Sequence, residues 1–249
     1  MSISIIIPHE KKRGTALLNR CLESLKDWNC EILIEEDGSV SEARNKAILR
    51  SHGDFLVLFD DDVVVRSNCI SELLLPFQDD RVGIVGGVNV SFPDIGFRER
   101  ISSVLFASPL AFWRSSSRLT PRGSVRETDE SEVLSCVMAI RRVAFFKSSG
   151  FPLDCIPCEE NVLINEVQGL GYKIVYTPFA IVYHDRPQIF LPYFRKIFHY
   201  GFGRGRMIRL GRGRMGMVWR PRREWLYYAV ALVGHYFCYV LGLLWGLIS

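Results

Sequence analysis

The chain has 249 residues, 48% of them hydrophobic, which allows one large domain or two small ones and supplies ample core for an enzyme. Seven Cys residues, an odd number behind an amino terminus without a signal-peptide pattern, argue against a disulfide framework and for a reducing compartment. The formal net charge is only +4, but it is uneven: from Arg186 to Arg223 there is no Asp or Glu, which points to an anionic partner on one side.

In chain order, Ile3 to Ile7 form a buried strand that Pro8 stops. Thr15 to Trp28 places Leu17, Leu18, Cys21, Leu22 and Leu25 at the spacing of an amphipathic helix. Glu31 to Glu35 is a second strand and runs into Glu36-Asp37-Gly38-Ser39, where Gly38 supplies turn geometry. Ser41 reads as the N-cap of a helix carrying Arg44 and Asn45, closed by Gly53-Asp54. Phe55 to Phe59 is an unbroken apolar run, too short for a membrane span and too uniform for a half-exposed strand, so it is a buried central strand.

That strand delivers Asp60, Asp61 and Asp62 to its carboxyl end, the end at which open α/β sheets place their ligand crevice. Adjacent carboxylates repel one another unless a cation or a donor-rich ligand neutralises them. Mg2+ or Mn2+ bridging a diphosphate meets that need, and a solvated acidic turn is the plain alternative. Strand, helix, strand, helix, strand implies right-handed crossovers, hence a Rossmann-like three-layer α/β/α half with a mostly parallel sheet. Ile5-Ile-Ile-Pro8, Glu36-Asp37-Gly38-Ser39, Ala43-Arg44-Asn45 and Gly53-Asp54-Phe55-Leu56 running into the Asp triplet, in this order, resemble the nucleotide-sugar half of the family 2 glycosyltransferases, which have the GT-A fold.

Val82 to Val90 is a further strand whose glycines suit close backbone approach near a bound sugar or a neighbouring loop. Phe97, Ile101, Val104, Leu105 and Phe112 recur at helical spacing among Arg98, Arg100 and Arg114, which suits either a membrane interface or packing on the chain's own domain. Ser115 to Glu132 reads as a mobile polar loop, with Glu127, Asp129, Glu130 and Glu132 as a solvated acidic face. Cys136 to Ile140 is a strand, followed by a short helix ending at Gly150. Cys155 and Cys158 have neither a second pair nor paired His at ligand spacing, so they do not read as a zinc or redox motif. Glu159 and Glu160 open a helix that Gly169 and Gly171 end, Tyr172 to Pro178 and Ala180 to Tyr183 are strands, and His184 follows the last of them.

In the family this sequence resembles, an acidic pair opens the helix before the Gly-Tyr and final strand, and its second member is the catalytic base. The resemblance puts Glu160 on that position, with Glu where Asp is usual and with Glu159 beside it as the alternative base. It further implies that Pro8, His9 and Asp37 line the nucleotide pocket, that Arg44 approaches the diphosphate, that Asp60 and Asp61 contact the nucleotide sugar, and that Asp60, Asp62 and His184 hold the metal.

Beyond Pro187, Phe190, Leu191, Tyr193, Phe194, Ile197 and Phe198 interleave with Arg195, Lys196 and His199, the pattern of a surface helix at lipid headgroups. Gly211-Arg-Gly-Arg-Met-Gly216 follows no strand, which excludes a dinucleotide site. Trp225 to Ile248 is uncharged, long enough to span a bilayer and preceded by Arg220, Arg222 and Arg223, which turns the reading of the Arg-Gly run away from nucleic acid and predicts a single-pass membrane protein with a cytoplasmic catalytic domain. The expected organisation is a GT-A domain over 1–188, a basic and aromatic juxtamembrane segment over 189–224 and a transmembrane helix over 225–248. The resemblance implies an inverting enzyme that moves a sugar from a nucleotide-diphosphate sugar to a lipid-linked acceptor, polyprenyl phosphate among them. A nucleotidyltransferase and a non-catalytic anchored module of the same fold are the other readings.

Overall fold

The computed structural model describes residues 2–155 and 157–212. Its first part alternates as the apolar pattern requires: β1 (Ile3–Pro8), α1 (Thr15–Leu25), β2 (Glu31–Glu35), α2 (Val40–Arg50) and β3 (Phe55–Phe59). β3 is buried at every position, because helices cover both faces of the sheet and leave no solvated side to alternate with. The cap of α2 is Ser39 rather than the expected Ser41. The Ser39 hydroxyl accepts from the Glu42 N–H while the Glu42 carboxylate accepts from the Ser39 N–H, and Ser41 is buried two residues on, within the first turn.

Then follow β4 (Val63–Val65), α3 (Cys69–Leu74), β5 (Val82–Val90), α4 (Phe97–Ala107) and α5 (Pro109–Phe112). The remainder is β6 (Arg126–Thr128), β7 (Val137–Arg141), α6 (Arg142–Lys147), α7 (Glu159–Gly169), β8 (Lys173–His184) and α8 (Leu191–Arg209). One sheet runs in the order β2-β1-β3-β7-β5-β8-β4, with β6 paired to β8.

The sheet is mixed, which corrects the expectation of a mostly parallel one. β1 pairs parallel with β2 and β3, and β5 with β8, but β7 runs antiparallel to both β3 and β5 and β4 runs antiparallel to β8. The cause is the connection: a parallel neighbour requires a crossover to the far end of the sheet, whereas α4 and α5 leave the carboxyl end of β5 and hand the chain back at that same end. The two strands expected after Tyr172 are one strand, β8, whose register against β5 jumps between Gly86 and Val88. Pro178, which has no N–H for a ladder, sits in that irregularity. A Cβ on Gly87 would lie 2.4 Å from the Ala180 carbonyl oxygen, so the close approach the glycines permit is to β8.

Alternate residues of the central strands feed two cores. Ile5, Val57 and Phe59 pack with Leu25 and Ile70 on one face, and Ile6, Leu56 and Leu58 pack with Ile48 and Leu163 on the other. Each fully buried side chain of this size contributes about 1.5–3 kcal/mol. A third cluster joins α4 to α8 through Phe106, Ile189 and Tyr193, with Ile101 and Ile197 against it, so this face of the 97–112 segment packs on its own domain.

Two further expectations are corrected. The 115–132 segment contains β6, and Glu130 and Glu132 are buried rather than solvated. Burial alone would push the Glu132 carboxyl up, but Arg126, Thr128 and Ser117 hydrogen-bond to it and hold it down at about 2. Arg114 adds a contact at 3.2 Å. The single-pass membrane placement is also not borne out: among the described residues no helix is long and apolar enough to cross a membrane, and 225–248 lies outside them.

Candidate active site

The carboxyl ends of β1 and β3, the start of β4 and the end of β8 converge on one rim. The β4–β8 register sets His184 opposite Val63, the residue after Asp62. Asp60, Asp62 and His184 consequently offer ligand atoms that all lie within 4.8 Å of one another. His184 Nε2 is 3.2 Å from Asp62 Oδ1, while Nδ1 is 2.7 Å from the Asp185 carbonyl oxygen, a contact that orients the ring. Burial opposes charge on this imidazole, but Asp62 and Asp60 raise its pKa. Two carboxylates and one imidazole form a donor set that suits Mn2+ or Mg2+. The three residues expected at the metal are thus together.

Arg44, expected against a diphosphate, is only 2% exposed and is committed to protein. Its Nη2 donates to Asp60 Oδ1 at 2.8 Å and its Nη1 to Glu159 Oε1 at 2.9 Å, tying the β3 rim to the start of α7. Both carboxylates keep its pKa high against the burial that opposes it. On the other side of the rim His9 Nδ1 lies 2.7 Å from Asp61 Oδ2, both residues being buried. Pro8, His9, Asp60 and Asp61 line the cleft with Glu36, Gly38 and Ser39. Asp37 is not among the lining residues: its side chain is 72% exposed and lies 3.5 Å from Lys11 Nζ, because the turn points it outward.

Glu159 and Glu160 both line the cleft, but in different states. Glu159 is buried and held by Arg44, whereas Glu160 is half-buried and has no ion pair among the described residues. Burial and then the neighbouring Glu159 push the Glu160 carboxyl up to about 7. The residue before the pair, Cys158, has φ 104°, a left-handed conformation that is costly for a non-glycine side chain. Cys155 packs in a small cluster with Val162 and Met207, consistent with a structural role for the pair.

Sequence reasoning missed one wall of this cleft, a cavity of about 760 Å3. Arg118, from the turn after α5, and Lys196, Tyr200 and Arg204, from α8, line it. The signal for the last three was their four-residue spacing, which puts them on one helix face. It was overshadowed by the aromatics of the same helix, of which Phe194, Phe198 and Phe202 are exposed. Gly203 lets α8 dock: a Cβ there would lie 2.1 Å from the Pro157 carbonyl oxygen, beside the entry to α7.

The family described as Glycosyl transferase family 2 matches residues 40–150, the stretch that carries Arg44 and the Asp triplet. The match covers a little under half of the chain, and over that stretch the chain resembles a family 2 glycosyltransferase. The chain is also similar to the O-antigen chain rhamnosyltransferase RfbN of Salmonella typhimurium, 24% identical over 191 residues, which are 73% of this chain and 56% of the relative. The chain therefore spans little more than half the length of that curated relative. Among solved structures it is similar to the mannosyltransferase PcManGT of Pyrobaculum calidifontis in complex with GDP-Man and Mn2+, at a TM-score of 0.57 and 15% identity, covering 83% of this chain and 64% of the other. TarS of S. aureus in complex with UDP matches with a TM-score of 0.53 and 12% identity over 74% of this chain and 60% of the other. At these identities the likeness is one of fold, a GT-A-like α/β fold with a mixed sheet.

Proposed function

We propose that this chain is an inverting glycosyltransferase that moves a hexosyl unit from a nucleotide-diphosphate sugar to an acceptor hydroxyl. The observation that carries the reading is the juxtaposition of the Asp60, Asp62 and His184 donor set, of which Asp60 and His184 line the cleft, with a half-buried Glu160 on the same cleft that has no ion pair among the described residues. Mn2+ or Mg2+ held by those three residues would neutralise charge on the departing nucleoside diphosphate. Pro8, His9 and Asp61 form the nucleotide side of the cleft, with the His9–Asp61 contact fixing that wall. Arg44 acts as a brace: by holding Asp60 and Glu159 it fixes the distance between the donor end and α7.

In the transfer step the acceptor oxygen forms a bond to C1 of the sugar as the bond from C1 to the diphosphate oxygen breaks, and Glu160 takes the acceptor proton. Glu159 is the poorer base because its carboxylate is already bonded to a buried guanidinium. The relatives named above, a rhamnosyltransferase and a mannosyltransferase, support a hexosyl donor. The acceptor hydroxyl is carried by a lipid-linked glycan; the exposed Phe194, Phe198 and Phe202 on the helix that walls the cleft support this choice. Calorimetric titration of the full chain with UDP, GDP and dTDP tests the reading. One of the three is expected to bind in the presence of Mn2+ and to lose affinity on addition of EDTA; no metal-dependent binding of any of them would remove it.

A further inference from the structure

Among the cations that line the cleft and that the reading above does not use, Arg118 has the most closely defined setting. Arg118 lines the cleft on the side of Glu160, and among the described residues it forms no ion pair with a carboxylate. Its Nη2 donates to a neutral acceptor, the backbone carbonyl of Glu130, and its Nε is buried with no hydrogen-bond partner among the described residues. Of the nearby acids, Glu160 acts on Arg118 through its charge without a direct ion pair among the described residues, and the other two are committed elsewhere. Glu130 pairs with Arg204 at 3.3 Å and Glu159 with Arg44 at 2.9 Å. A half-buried guanidinium without a carboxylate is expensive unless an anion completes it.

The position of Arg118 is built from below. The turn Trp113–Arg118 that presents it is fastened to the buried Glu132 network: Ser117 Oγ donates to Glu132 Oε1 at 2.8 Å, and Arg114 Nη2 to Glu132 Oε2 at 3.2 Å. From β8, the Tyr176 hydroxyl donates to the Ser117 carbonyl at 3.0 Å. On the opposite side Asn161, next to Glu160, donates to the same Glu130 carbonyl at 3.1 Å, so Arg118 and the start of α7 share one anchor atom. The guanidinium is therefore held in place beside the carboxylate that is to take the acceptor's proton, which is the preorganisation that selective anion binding requires. Phe106, Phe112 and Leu119 supply an apolar flank to the same end of the cleft.

We propose that Arg118 is an anion-recognition residue of the acceptor half of the cleft, so that the acceptor carries a phosphate or carboxylate close to the hydroxyl that is glycosylated. This rests on the glycosyl-transfer reading. An anion there places the acceptor by its charge, and the planar guanidinium suits both oxyanions. Arg118 then contributes to the selectivity between a charged and a neutral acceptor.

The test titrates the full chain, saturated with Mn2+ and the nucleoside diphosphate it binds, with glucose 1-phosphate, with glucuronate and with neutral methyl glucoside. The wild type is expected to bind one of the charged sugars about tenfold or more tightly than the neutral one, as a charge-assisted hydrogen bond implies. The phosphate and carboxylate arms identify which anion it is. Arg118→Gln is expected to erase the charged-to-neutral ratio, and Arg118→Lys to restore part of it. Equal binding of charged and neutral sugars by the wild type, binding of neither charged sugar, or a ratio unchanged in Arg118→Gln would each overturn the proposal. Nucleoside diphosphate affinity, measured first on the same variants, keeps the two claims apart: its absence in the wild type defeats the glycosyl-transfer reading, while its persistence in Arg118→Gln shows that the donor half is intact.

Discussion

Arg44 Nη1 donates to Glu159 Oε1 at 2.9 Å across 115 residues of sequence, and through the same guanidinium the first acid of the Asp triplet is joined to the acidic pair of α7. The two halves of the candidate site are thereby one electrostatic unit. A buried charge pair is weak evidence of net stabilisation, but removing one partner strands the others.

Arg44→Ala is therefore expected to destabilise the fold by about 3–5 kcal/mol, because Glu159 is left buried and unpaired. Arg44→Lys should recover little, since one ammonium does not reproduce the two-pronged contact. Urea unfolding followed by circular dichroism measures both. A loss below about 1 kcal/mol for the alanine variant would mean that the brace is dispensable.

The metal set gives a separate expectation. Asp62→Asn removes one anionic donor from the trio without adding volume, so Mn2+ affinity measured by electron paramagnetic resonance should fall steeply while the far-ultraviolet spectrum is unchanged. Unaltered Mn2+ binding in this variant and in His184→Ala would show that the cluster is not the cation site.

For Glu160 the sign of the pH dependence follows from the direction of its shift. A base must be ionised, and this carboxyl is raised from the ordinary 4.5 to about 7, so turnover should rise with pH through about 7. The native state holds the proton more tightly than the unfolded chain does, so stability from this group is present at low pH and is lost as pH rises from 4.5 to about 7. Glu160→Gln should lower kcat about 100-fold or more and flatten both dependences. Turnover that is independent of pH across that window in the wild type would assign the proton transfer to another group.

Docking of α8 turns on Gly203, where an added Cβ would meet the Pro157 carbonyl oxygen at 2.1 Å. Gly203→Ala should push α8 away from the entry to α7. Hydrogen exchange of the 191–209 amides should accelerate relative to those of β3, which is buried throughout. Equal protection of α8 in wild type and variant would contradict this docking.

What was legible in the sequence was what local pattern encodes. The apolar run Phe55 to Phe59, its acidic end, and the Glu159 and Glu160 opening of α7 were readable because strand burial and helix starts are written in neighbouring residues. Partnerships across the chain were not. Glu132 read as solvated because its partners Arg126, Thr128 and Ser117 lie in a polar stretch with no periodicity to mark burial. Antiparallel β7 was hidden for the same reason: the apolar run is identical for either strand direction, and only the path of α4 and α5 selects one. Arg44 was found, but its commitment to Glu159 was not, and Lys196, Tyr200 and Arg204 were masked by the stronger aromatic pattern of their own helix.

The central claim, metal-dependent transfer from a nucleotide sugar with Glu160 as base, is tested most directly by mass-spectrometric analysis of donor turnover. The full chain is incubated with Mn2+ and a panel of UDP-, GDP- and dTDP-sugars, beside Asp62→Asn and Glu160→Gln. The account predicts that one donor is consumed with release of its nucleoside diphosphate, that Asp62→Asn abolishes this, and that Glu160→Gln still binds the donor but turns it over about 100-fold more slowly or less. Release of a nucleoside monophosphate instead, or donor consumption undiminished in Asp62→Asn, would contradict it.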